Sequence, residues 1–364
     1  MTARELDRIE SLLAPLLEAL DALGHVARRL HPPALAGLVA QASRAQARWQ
    51  AAWSVNPPWP EPWALLGAQL DACATEAMAA FEGLHAAVAG CDALAQAYRA
   101  LRHLPRALEA LYPLAGLLGS VNRFFLDPAG RADEVLQRRL LGEAPEHTGL
   151  MAFGDAPGSR QGVWVYVPET YRADRDWPLV MALHGGGGRG RAFLWSWLRD
   201  ARARGAILVA PTSLGATWAL AGDDEDSPHL MQILDFVREH WRVDPARLLL
   251  TGMSDGGTFC YASGLEASSP FTHLAPVSAA FHPMLAQMAD PARLRGLPIH
   301  IVHGALDWMF PVAMSRDAAQ SLSAAGARVS QREIADLSHV YPGEVNGSIL
   351  DWLDQTAGAT RDER

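Results

Sequence analysis

Leu249-Leu250-Thr251-Gly252-Met253-Ser254-Asp255-Gly256-Gly257 reads as an apolar strand running into a glycine-flanked serine and then into helix-compatible residues. The G-x-S-x-G spacing lets a chain turn sharply from strand to helix, so that a strained serine presents its Oγ above a sheet with the following helix dipole behind it. With 31 glycines in the chain the bare pattern arises by chance on the order of 0.1 times, so its weight comes from what surrounds it. The alternative is a glycine-rich turn with an N-capping serine.

Outward from this turn, short β-rich runs alternate with helix-sized stretches. The runs are Leu150–Phe153, Val163–Val167, Leu179–Leu183, Ala206–Ala210, Leu248–Thr251, His273–Val277, Ile299–Val302 and Val329–Ile334. The first two, joined by a Gly/Pro/Ser-rich turn, read as a hairpin. The later ones are separated by segments such as 191–204 and 227–241, the grammar of a mostly parallel eight-stranded sheet with flanking helices. Ligands on such sheets bind at the carboxyl ends of the strands.

A serine hydroxyl is too weak an acid to attack an ester unaided; it needs an imidazole base, and the imidazole needs a carboxylate to fix its tautomer. His303-Gly304-Ala305-Leu306-Asp307-Trp308 places Asp307 just beyond the seventh run, and Asp336-Leu337-Ser338-His339 places His339 just beyond the eighth. The chain order Ser254, Asp307, His339 is the one this type of sheet enzyme uses. Asp336 is the rival acid. His303 is the rival base, but it precedes the acid, while His300 falls inside a strand and His229 and His240 fall in a helical segment. Oxyanion donors are expected from the loop Leu183-His184-Gly185-Gly186-Gly187-Gly188, with the N–H of Gly186 as one and that of Asp255 as the other. Gly185, Gly187 and Gly190 also satisfy the dinucleotide fingerprint G-x-G-x-x-G. That reading requires an acid at the end of the next strand, which instead ends Ala210-Pro211-Thr212.

Residues 148 to 355 resemble an α/β-hydrolase of the carboxylesterase type. Trp218, Asp223-Asp224 and Val243-Asp244-Pro245-Ala246-Arg247 leading into the serine motif are similar to the polyhydroxybutyrate depolymerase-like and feruloyl esterase-like group. The resemblance implies Ser254 as nucleophile, Asp307 as acid and His339 as base, with carboxylic ester hydrolysis as the activity. The chain departs from that group in lacking a disulfide framework and in the glycine content of its His-Gly-Gly-Gly-Gly loop. Trp218 and Trp308 are the expected pocket residues, Trp308 because it follows the acid directly. No cofactor is called for. The acidic run Asp223-Asp224-Glu225-Asp226 reads as a solvated helix start with Asp226 or Ser227 as cap, so no metal is expected.

Up to about residue 140 the grammar is helical throughout. Leu6, Ile9, Leu13, Leu16, Leu20, Leu23, Ala27 and Leu30 form one seam, with a kink expected at Pro15; a second helix spans about 34–53, and a third runs from Trp63 through Leu66, Leu70, Cys73, Ala77, Phe81, Leu84 and Val88. A fourth, from about Asp92, meets Pro105, which should kink or break it. The expected division is a helical domain at 1–141 and a catalytic domain at 146–358. The helical part is read as an antiparallel bundle that caps the catalytic mouth or carries self-association, with Trp49, Trp53, Trp59 and Trp63 around Pro57, Pro58 and Pro60 as packing or as an apolar wall.

The 364 residues carry 40 acids and 31 bases, all arginine, for a net charge of -9. The absence of lysine removes Schiff-base and P-loop lysine chemistry, and 13 arginines against 15 acids in residues 1–145 leave no basic footprint for nucleic acid. Three cysteines are too few for a disulfide framework, Glu18 interrupts any signal-like apolar stretch, and prolines and histidines break the uncharged run 267–289, so the expectation is a cytoplasmic protein without a membrane span. The runner-up reading is a non-catalytic hydrolase-fold protein that binds a partner through its helical half. A thioesterase is the other alternative.

Overall fold

The computed structural model describes residues 3–54, 59, 61, 63–154 and 160–362. The chain divides into two compact units, Met1–Ala144 and Pro145–Arg364. In the first, α1 (Ala3–Arg29), α2 (Leu35–Ser54), α3 (Ala64–Ala89), α4 (Ala93–Leu101) and α5 (His103–Leu111) are followed by the short α6 (Gly119–Phe124), α7 (Pro128–Ala132) and α8 (Glu134–Arg139). The leucine seam is buried from Ile9 through Leu30, with Val26 rather than Ala27 turned inward, and α1 packs on α2; the side chain of Leu6 lies outside the described residues. α1 continues through Pro15. Near Pro105 the expected single helix is two, separated at Arg102, and Pro105 sits in the first turn of α5, where its missing N–H costs nothing. Trp49 is buried and packs at 6.2 Å from Trp53, whereas Val88 at the end of α3 is exposed. Pro57, Pro58 and Pro60 lie outside the described residues.

The second unit is built on a sheet of eight strands: β1 (Gly149–Phe153), β2 (Val163–Val167), β3 (Trp177–Leu183), β4 (Ile207–Pro211), β5 (Val243–Met253), β6 (His273–Val277), β7 (Pro298–Gly304) and β8 (Arg328–Ile334). The order is β1-β2-β4-β3-β5-β6-β7-β8, with β2 antiparallel to both neighbours and every pair from β4 to β8 parallel. This is the α/β-hydrolase architecture expected from the sequence. The connecting helices are α9 (Gly190–Phe193), α10 (Leu198–Arg204), α11 (Asp226–His240), α12 (Asp255–Gly264), α13 (Met284–Met288), α14 (Pro291–Leu294), α15 (Ala313–Ala324) and the C-terminal α16 (Asn346–Asp362). Central strands are buried along both faces, which is why their sequences are unbroken apolar runs, while edge strand β8 alternates between half-buried and exposed residues. Leu183 pairs with Gly252 and Met253 with Val277, so the carboxyl ends of β3, β5 and β6 stop level with one another. The loops that leave this edge carry the candidate site.

Candidate active site

Ser254 sits between β5 and α12 at φ 56°, ψ -122°, a backbone conformation that a residue with a Cβ holds only when its surroundings enforce it, at a cost of about 1–3 kcal/mol. Its N–H donates to the Val277 carbonyl at 3.0 Å, and its carbonyl accepts from the Thr258 N–H at 2.8 Å, which ties the turn to β6 on one side and starts α12 on the other. Two glycines are required by close approach. A Cβ at 252 would stand 2.4 Å from the Gly256 carbonyl oxygen, and one at 256 would stand 2.4 Å from that of His184. Both spacings of the motif are thus explained by backbone packed on backbone.

His339, in the loop after β8, brings Nε2 to 3.0 Å from Ser254 Oγ and Nδ1 to 2.9 Å from Asp307 Oδ2. All three residues are buried. A carboxylate only accepts, so Nδ1 carries the proton and Nε2 is left with its lone pair toward the serine hydroxyl. The other oxygen of Asp307, Oδ1, accepts from the N–H groups of Met309 and Phe310 at 2.9 and 2.8 Å. Burial alone would raise the Asp307 pKa, but hydrogen bonds from His303, His339 and the Phe310 N–H outweigh it and hold the carboxyl well below the usual range. Asp336, the rival acid, is exposed on the turn ahead of His339.

His303 has a part that sequence reasoning passed over. Read only as a rival base, it is fully buried at the end of β7, with Nε2 2.9 Å from the Phe310 carbonyl oxygen and 3.4 Å from Asp307 Oδ2. It therefore approaches the same oxygen of Asp307 that His339 holds. The signal was present in the i, i+4 spacing of His303 and Asp307 across a strand end. On the solvent side the imidazole of His339 is flanked by Phe310 and Trp308, edge to face at 5.4 and 6.1 Å. Trp308 is 47% exposed and, with Leu306 and Met309, gives the acid loop an apolar rim.

Trp218, expected in a pocket wall, is buried instead in the sheet core, stacked on Phe259 with ring centroids 5.3 Å apart. Its Nε1–H donates to the His184 carbonyl at 2.7 Å, so it holds the glycine-rich loop from below. His184 is buried too. Desolvation pushes its pKa down to about 4, and the neutral ring donates from Nδ1 to the Gly185 carbonyl at 2.7 Å while Nε2 accepts from the Ser213 N–H at 3.1 Å. Gly187 N–H donates to Ala216 at 3.2 Å, and Thr217 Oγ1 donates to Asp255 Oδ2 at 2.6 Å. The loop at 213–219 is thereby clamped to the glycine loop on one side and to the residue after the serine on the other. Among the described residues neither Gly186 N–H nor Asp255 N–H donates to a backbone acceptor.

Among the described residues no group of three or more His, Cys, Asp and Glu is gathered as a metal site. In the acidic run, Asp224, just ahead of α11, accepts the Ser227 N–H of its first turn at 2.9 Å. Asp226 is buried, accepting from Leu214 and Ala219 N–H at 2.9 and 2.8 Å, so it is a brace for the 213–219 loop. No described helix is long and apolar enough to cross a membrane.

Residues 225–357 match the phospholipase/carboxylesterase family, a span that includes Ser254, Asp307 and His339. Among curated proteins, one named "Probable feruloyl esterase C" from Aspergillus terreus is 28% identical over 153 residues, 40% of this chain and 54% of that one. A bifunctional acetylxylan esterase/xylanase of Neocallimastix patriciarum is 28% identical over 159 residues, 41% of this chain and 22% of that one. The chain thus spans about half or less of the relatives' length. Among solved structures, a thermostable esterase aligns at 22% identity over 57% of this chain and 62% of its own, with a TM-score of 0.47. A ferulic acid esterase aligns at 17% identity over 58% of this chain and 99% of its own, with a TM-score of 0.48.

Proposed function

We propose that the chain hydrolyses carboxylic esters through an acyl-enzyme on Ser254. The observation that carries the reading is the double bridge of His339, 3.0 Å to the serine hydroxyl and 2.9 Å to a buried carboxylate, beside a loop with unspent N–H donors. His339 Nε2 takes the hydroxyl proton as Oγ attacks the ester carbonyl, and the developing oxyanion is received by the N–H groups of Gly186 and Asp255. The imidazolium then returns its proton to the leaving alcohol. A water activated by the same nitrogen releases the acid and restores Ser254. Each oxyanion donor contributes about 2.7–4 kcal/mol to the barrier reduction. A thioester satisfies the same geometry. The match to the phospholipase/carboxylesterase family and the esterase names of the relatives support the reading, and feruloyl and acetyl esters are the first substrates to try. The reading places the reaction in the cytoplasm, on the unpaired state of Cys73, Cys91 and Cys260.

The decisive experiment pairs a fluorophosphonate probe with nitrophenyl esters of increasing acyl length. Wild type is expected to be labelled on Ser254 and to turn over at least one of the esters. Ser254→Ala should lose both signals with an unchanged fold. Labelling that persists at the wild-type level in the variant overturns the assignment.

A further inference from the structure

Asp255 offers its N–H to the proposed oxyanion site, and its carboxylate lies against the glycine loop that would supply the other donor. Oδ2 lies only 2.6 Å from where a Cβ on Gly186 would be, and the residue follows the nucleophile directly in the chain. The charge thus sits beside the glycine loop and one residue along the chain from the proposed nucleophile. Asp255 forms no ion pair among the described residues; its polar partner is the Thr217 hydroxyl at 2.6 Å. Nearby His184 supplies no compensating charge, since burial keeps it neutral. The guanidinium of Arg160 is turned to the carbonyls of Ser213 and Gly188, at 3.1 and 3.2 Å. Holding the 213–219 loop does not require a charge, because an asparagine oxygen would also accept from Thr217, if less strongly. A negative charge without an ion pair, beside a site where another negative charge must develop, opposes catalysis, even with Arg160 and Arg189 acting on the same surroundings, and a carboxylate kept there acts on which substrates enter.

Building on Ser254 as the nucleophile, we propose that the Asp255 carboxylate is a charge filter: the site takes esters whose acyl part is neutral or cationic and rejects those with an anionic group within a few ångströms of the scissile carbonyl. Asp255 is thus a specificity-determining residue through its side chain as well as a donor through its backbone.

The test compares 4-nitrophenyl hydrogen glutarate with its neutral amide counterpart, 4-nitrophenyl 4-carbamoylbutanoate, after subtraction of spontaneous hydrolysis. Wild type is expected to favour the neutral ester in kcat/KM by about tenfold, and Asp255→Asn to bring the two within about twofold, mainly by gain on the anionic ester. Thr217→Val, which removes the hydrogen bond but keeps the charge, should retain the wild-type ratio. Salt supplies a measurement on the unaltered protein: the wild-type preference should narrow between about 0.02 and 0.5 M NaCl as screening shortens the reach of the charge. An unchanged ratio in Asp255→Asn, a ratio that collapses in Thr217→Val, or a salt-independent wild-type preference overturns the filter while leaving the esterase reading intact. Failure of the fluorophosphonate to label wild-type Ser254 overturns both.

Discussion

At the scale of single residues, Asp307 decides how the imidazole works. Its Oδ2 holds Nδ1–H of His339, so Asp307→Asn presents an amide that can stabilise the opposite tautomer, and turnover should fall by roughly 10⁴-fold with KM little changed. Because hydrogen bonds hold its pKa well below the usual carboxylate range, Asp307 stays ionised throughout the working range. The proposed base accepts the serine proton only on its unprotonated Nε2, so His339→Gln, which keeps a polar group but removes the base, should abolish turnover of the nitrophenyl esters. Behind the acid, His303→Leu removes one of the donors on Asp307, and a loss of about tenfold in kcat is expected with KM unchanged, measured on the same nitrophenyl esters. That Ser254, Asp307 and His339 meet was legible in the sequence because each stands at a strand end, where spacing alone places it on one edge of the sheet. The contacts of Thr217 and Trp218 were not, because they join loops distant in sequence, and an indole expected at a pocket wall is instead in the core, holding the glycine loop. His303 stands only four residues before Asp307, but as a rival base it was not read as its support.

At the scale of elements, strands and helices announced themselves unequally. Buried central strands are continuous apolar runs and the hairpin and edge strands carry turn signals or alternation, so all eight were readable, though not always to their ends. β5 begins at Val243, because Asp244 and Pro245 hide a strand start behind turn-like residues. Pro105 broke its helix as read, whereas the helix at Pro15 continues, since packing along the Ile9–Leu30 seam can hold a turn that has lost one hydrogen bond. The docking of α16 carries a pH dependence that the sequence did not suggest. His273 on β6 and His300 on β7 flank Trp352 of α16 at 5.1 and 5.5 Å, and His273 Nε2 lies 2.8 Å from Thr356 Oγ1. Burial, with Arg328 adding to it, lowers the His273 pKa to about 4, and burial with Arg332 lowers that of His300. Between that value and about 6.5 the unfolded chain binds more protons than the folded one, so stability is full above about pH 6.5 and is lost as pH falls toward 4. The loss attributable to His273 is at most about 3 kcal/mol. Thermal midpoints recorded from pH 7 to 4 should decline in wild type and decline less in His273→Gln. Parallel curves would mean that α16 docks without regard to that proton.

At the scale of the whole molecule, every residue given a role in the chemistry, from His184 to His339, lies in the unit Pro145–Arg364. That unit brings its own sheet, its own buried cluster and its own loop braces, including the Trp241 Nε1–H bond to the His147 carbonyl at 2.9 Å close to its first residue. A chain beginning at Glu146 keeps all of these. It is therefore expected to retain labelling of Ser254 and measurable turnover of a short nitrophenyl ester. The helical unit then has to justify itself on larger substrates or on assembly. Its long seam on α1 is covered by α2 within the same unit, so the need of an amphipathic helix for a partner is met without a second protomer. What stays unaccounted for is apolar surface: Leu65 is 84% exposed, Leu117 68% and Val135 52%. We propose that residues 1–141 take part in substrate choice, a role that makes a demand mere tethering does not. Removing them should alter KM in step with acyl length, with short acetyl esters nearly unaffected and bulky aromatic esters changed several-fold. If the truncated and full-length proteins instead share one set of kinetic constants across the ester series, that role is wrong. A sedimentation coefficient that then falls by more than the lost mass requires assigns the helical unit to assembly.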